Sequence, residues 1–170
     1  MISILCDSCP LVEVLDISNI RGLDREPVRK ESLFKLDKLT KLKRLNANWL
    51  PIDDEVIEMI SQNLKEMRYL SILRSNISYN GLWTLIKNCP KLRELDIKYA
   101  AHGIYLQHQS STNEINEYLE LCERELWRKR TEPLTIHVGY VSGSRRGFLL
   151  NYVILNYNCI LILFRYRRAA

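Results

Sequence analysis

The chain has 170 residues, 46% of them hydrophobic and 26% charged, with a formal net charge of +5. That length suits one ordinary domain, and apolar residues recurring along nearly all of it exclude wholesale disorder. The basic residues gather in 21–44, in 124–130 and around a C-terminal apolar run, without an aromatic-interleaved stripe, so solvated outer helices are expected and no nucleic-acid partner.

At the N-terminus, Met1–Cys9 lacks the basic start and long apolar stretch of a secretory signal. Cys6, Cys9, Cys89, Cys122 and Cys159 are odd in number and scattered. Reduced thiols in the cytoplasm or nucleus are therefore expected. Cys6-Asp7-Ser8-Cys9 is a lone C-x-x-C, and His102, His108 and His137 stand far from it without ligand spacing. No metal site and no cofactor are expected.

Cys9 opens the first copy of a repeat. Residues 9–17, CPLVEVLDI, return 80 positions later as CPKLRELDI over 89–97. The charged stretch Arg21–Lys30 lengthens the first step to about 30 residues and reads as a loop insertion. After it the spacing settles at 25: Leu42, Met67 and Leu92 align, as do Leu45, Leu70 and Leu95, and Ala47, Ile72 and Ile97. Within L-x-x-L-x-L the last two apolar residues alternate at period two, as a short strand with one buried face requires. Val56, Ile57, Met59, Ile60 and Leu64 form one helical stripe and Leu82, Leu85 and Ile86 the next, with Asp53 and Ser78 as N-caps. Asn63 and Asn88-Cys89-Pro90 end these helices, since proline resists helical continuation. Cys9 and Cys89 occupy equivalent helix-to-strand junctions and read as small buried packing residues.

The unit at 101–138 is irregular. Ser111-Thr112-Asn113-Glu114 has capping-box spacing, Ile115 to Leu126 line a helix, and Leu134–Val138 alternate as a strand. Beyond it, Phe148–Phe164 is strongly apolar but short for a membrane span, and it carries Asn151, Asn156 and Asn158. It is open to three readings: a structural cap, a weak anchor or non-native sequence.

One strand and one helix cannot bury their own apolar faces, whereas stacked copies can. The expected fold is an α/β leucine-rich-repeat solenoid over 1–140, with four to five units, short parallel strands on the concave side and helices outside. Residues 141–170 form a separate apolar tail. Alternate strand residues then face a partner: Val14, Asp16 and Ser18; Arg44, Asn46 and Asn48; Tyr69, Ser71 and Leu73; Glu94, Asp96 and Lys98. Tyr and Arg are favoured at interaction hot spots. No nucleophile elbow, P-loop or H-E-x-x-H occurs, so no catalytic residues are assigned and no enzyme is expected.

The C-P-x-L-x-x-L-x-I repeats, at Cys9–Ile17 and Asn88–Ile97, with the Ile52–Leu64 and Ile77–Cys89 helices, resemble the F-box/leucine-rich-repeat family. That resemblance implies a substrate-recognition arm of an SCF-type E3 ubiquitin-ligase adaptor with a protein client. SCF components are expected as partners only if a longer form carries an F-box. No F-box segment precedes Cys9, and Met1 opens inside the place of a preceding helix, so a truncated product or a partial gene model is expected. Ile20, Leu50, Ser75 and Ala100 also replace the family's Cys or Asn. The competing readings are a membrane-tethered repeat protein, although a membrane is not the expected partner, and a truncated fragment without independent function.

Overall fold

The computed structural model describes residues 2–21, 26–97 and 134–137. In chain order these form α1 (Ile2–Ser8), β1 (Val14–Asp16), α2 (Lys30–Leu33) running into a 3-10 helix (Phe34–Lys38), and β2 (Arg44–Asn46). Then come α3 (Asp54–Asn63), β3 (Tyr69–Ser71), α4 (Tyr79–Asn88), β4 (Glu94–Asp96) and β5 (Thr135–His137). The five strands make one parallel sheet in sequential order, a mixed α/β arrangement.

The register follows the sequence offset. Leu15, Leu45, Leu70, Leu95 and Ile136 stand side by side, and each is buried. Columns before and after the strands are buried too: Leu42, Met67 and Leu92 on one side, Ile17, Ala47, Ile72 and Ile97 on the other. A fully buried leucine contributes about 1.5–3 kcal/mol by leaving water, so these columns, packed with the helical stripes, hold the molecule together. Hydrogen bonding continues past each strand, with Ile17, Ala47, Ile72 and Ile97 all donating to the next strand.

Both predicted N-caps form. Asp53 accepts from Val56 N–H, and Ser78 accepts from Asn80 and Gly81. The two helices end at Asn63 and Asn88, where expected. The charged insertion is closed by an antiparallel bridge between Arg21 and Pro27. Sequence reading missed the helical turns over 30–38. Leu33 and Leu36 within them and Leu39 just after them, all fully buried, recur at three, the 3-10 period and not the α period.

One packing expectation is corrected. Cys89 is buried but Cys9 is exposed. Cys9 belongs to the first unit, where α1 covers the core with Ile2 and Cys6 instead. The expected helix from Ser111, residues 141–170 and the apolar run Phe148–Phe164 lie outside the described residues. No described helix is long and apolar enough to cross a membrane, and no described cluster of His, Cys, Asp and Glu is suited to a metal ion.

Candidate functional site

A strand with its central leucine buried turns its flanking residues to the opposite face. The parallel register gathers those flanking residues into two rows. Val14, Arg44, Tyr69, Glu94 and Thr135 form one, and Asp16, Asn46, Ser71, Asp96 and His137 the other. These rows contain eight of the residues that alternation marked for a partner, while Ser18, Asn48 and Leu73 lie just past the strands. Lys98 lies outside the described residues.

Polar side chains in these rows hold one another. Asn46 Nδ2 donates to Asp16 Oδ2 at 2.9 Å, and Asn48 Nδ2 donates to Asn46 Oδ1 at 2.6 Å. Asn48 Oδ1 accepts from Ser71 Oγ and from Leu73 N–H, both at 2.8 Å. The Ser18 N–H donates to Asp16 Oδ1 at 2.8 Å. Three consecutive units are therefore tied through side chains as well as through the sheet. Ser71, expected to face a partner, is instead only 2% exposed, so it orders the face from beneath. The Ser18 N–H and hydroxyl, with Asn46, hold the Asp16 carboxyl below its ordinary range.

Arg44 and Tyr69 are direct neighbours in register, and the guanidinium lies 4.2 Å from the ring centroid. This cation–π contact contributes about 0.5–1 kcal/mol at an exposed site and fixes two long side chains. At the far end of the sheet the two rows meet, His137 Nε2 lying 3.2 Å from Glu94 Oε1.

The turns after the strands carry a second feature. Asn19, Trp49 and Arg74 occupy the same place in three successive units, and all three have left-handed φ, at 53°, 65° and 61°. Asparagine accepts that conformation readily, whereas it is uncommon for tryptophan and arginine. Trp49 is 55% exposed, and the Arg74 guanidinium stacks 4.0 Å from its ring centroid. Sequence reading missed this pair, because neither residue type announces a left-handed turn. The signal that could have found it was position, three residues past the last residue of each strand.

Two solved structures are similar to this five-stranded arrangement. One is leiomodin-1 actin-binding site 2, at a TM-score of 0.54 and 16% identity, over 84% of this chain and 78% of that chain. Another is the tropomodulin C-terminal domain of Caenorhabditis elegans, at 0.53 and 14%, over 85% of this chain and 82% of that one. At such identities the likeness is one of fold. No model of a protein family matches the sequence, and no curated protein matches it.

These neighbours overturn the F-box/leucine-rich-repeat resemblance. The reading as an SCF-type ubiquitin-ligase adaptor, with SCF components as partners, falls with it. The physical reason lies in what the motif reports. L-x-x-L-x-L spacing records how a strand and a helix bury one face, a packing demand independent of what the opposite face binds. The Cys-Pro pairs that seemed to mark a family do not share a role, since one cysteine is buried and the other exposed.

Proposed function

We propose that this chain is a protein-interaction module whose units, over 1–140, stack as a leucine-rich-repeat solenoid, and that its partner is actin or an actin-related protein. One observation carries the reading: a pre-ordered polar face, centred on Arg44 and Tyr69, on a scaffold similar in fold to leiomodin-1 actin-binding site 2. The hydrogen-bonded row from Asp16 to Ser71 supports it. Side chains already held in place lose less freedom on association, which leaves more of the contact energy for affinity. Tyrosine and arginine are also the residue types that concentrate binding energy at interfaces. The reading assigns binding and no chemical step to the chain. It assigns the protein to the cytoplasm or nucleus, on the expectation that its scattered cysteines are reduced.

Co-sedimentation of the full chain with filamentous actin, paired with binding to monomeric actin, tests the proposal. Saturable binding to at least one form is expected, weakened about tenfold or more when Arg44→Ala and Tyr69→Ala are combined. Absence of binding to both forms would overturn the actin assignment. Binding unaffected by the double substitution would move the site away from the sheet face.

A further inference from the structure

Beyond the ends of β1, β2 and β3, away from the two rows of the sheet face, the left-handed turns border an open cleft of about 540 Å3. Arg21, Trp49 and Arg74 stand exposed around it, while Ile20, Val28 and Leu50, half-buried or buried, line it more deeply. We propose that this cleft binds a short acidic peptide segment, taking a carboxylate between Arg21 and Arg74 and a neighbouring aliphatic side chain against Ile20, Val28 and Leu50.

Charge decides the first half. Among the described residues, two guanidiniums line the cleft and no carboxylate does. The Arg74 guanidinium lies over the Trp49 ring, 4.0 Å from its centroid, a cation–π contact that restrains the side chain. An arginine pre-organised in this way accepts a carboxylate with little further loss of freedom. The second half rests on the lining. The cleft lies within the usual size range of small ligand sites, which are mainly apolar with a few placed polar groups. The ordered turn is maintained against its own preference, since a tryptophan and an arginine are held at positive φ. Such strain persists where the surroundings over-determine it and gathers at binding sites.

Other anions fit less well. A membrane surface is recognised by clusters of several basic residues, and among the described residues two line this cleft. A nucleic-acid base would need a free aromatic face for stacking, whereas Arg74 already lies over the Trp49 ring.

The probe is a fluorescently labelled, end-blocked hexapeptide alternating leucine and glutamate, titrated against the full chain by anisotropy. A leucine–glutamine peptide serves as its neutral partner. The glutamate peptide is expected to bind about tenfold more tightly than the glutamine peptide, an advantage lost at high salt. Arg21→Gln and Arg74→Asn should each weaken it about fivefold or more. Asparagine tolerates left-handed φ better than arginine, so the second variant keeps the turn, and an unchanged melting temperature verifies this. Equal binding of the two peptides, or binding insensitive to both variants, would overturn the proposal. So would phosphatidylserine-containing vesicles that bind through the same arginines in preference to the peptide.

Discussion

Gly81, in the first turn of α4, leaves a space that the Asp54 carboxylate fills. A Cβ at that position would lie 2.2 Å from Asp54 Oδ1. From that place Asp54 accepts from Ser78 N–H at 2.8 Å and from the Ser78 hydroxyl at 2.5 Å. The start of α3 thereby holds the start of α4. Gly81→Ala gains about 0.5–1 kcal/mol of helix propensity, but it drives a methyl group into a carboxylate. A net loss of about 1–3 kcal/mol is expected by urea unfolding. In an Asp54→Ala background the same change should become stabilising, and a loss there would show that Gly81 is needed for another reason.

The units are also joined by charge. Lys30 reaches from α2 to Asp53 and Glu55, 2.6 Å from each. Partial burial pushes the Asp53 carboxyl up, but Lys30 and the Val56 N–H outweigh it and hold the group below its ordinary range. Asp16 is depressed as well. With the folded pKa below the unfolded one, stability is full above the ordinary carboxylate range. It declines below about pH 4, where the unfolded chain takes up protons first. Asp53→Asn keeps an N-cap side chain and removes one of these titrations. Its melting temperature should therefore fall less steeply between neutral and acid pH; an identical slope would show that Asp53 does not drive the acid limb.

Two buried serines make opposite predictions. Ser61 Oγ donates to Glu58 O at 2.9 Å and accepts from Asn88 Nδ2 at 3.3 Å. Ser75 Oγ is buried with no hydrogen-bond partner among the described residues. Ser61→Ala should cost about 1 kcal/mol or more, while Ser75→Ala should be neutral or stabilising by up to about 1 kcal/mol. Thermal melts of the two variants side by side would reveal the contrast, and a destabilised Ser75→Ala would mean that the hydroxyl is satisfied.

Asn48 is the junction of the sheet-face row, with three side-chain hydrogen bonds across two units. Asn48→Ala leaves the Leu73 N–H and the Ser71 hydroxyl without their acceptor. A loss of about 1–3 kcal/mol is expected from the denaturation midpoint. It should exceed the loss from Asn46→Ala, whose amide makes two side-chain contacts.

Much of the scaffold was legible because it depends on spacing. Leu45, Leu70 and Leu95 lie 25 residues apart and stand side by side, and Asp53 and Ser78 declare their helices by type and place. The turns at 30–38 escaped because a period of three was weighed against templates of 3.6 and two. The residues facing outward were legible as a set, but their mutual hydrogen bonds were not. That Asn48 binds Ser71 follows from the adjacency of neighbouring strands, which brings together residues 23 apart in sequence. The family assignment failed because it took a packing motif for a marker of partnership.

The first unit is longer than the two after it, yet Leu15 meets Leu45 in the same register as Leu45 meets Leu70. The extra length enters after the left-handed residue Asn19 and is pinched off by the Arg21–Pro27 bridge before α2. The sheet is therefore indifferent to how much chain lies in that segment. For protein engineering, this is a splice port: a foreign loop grafted between Arg21 and Pro27 would emerge beside the Trp49–Arg74 cleft, and strand order would be preserved.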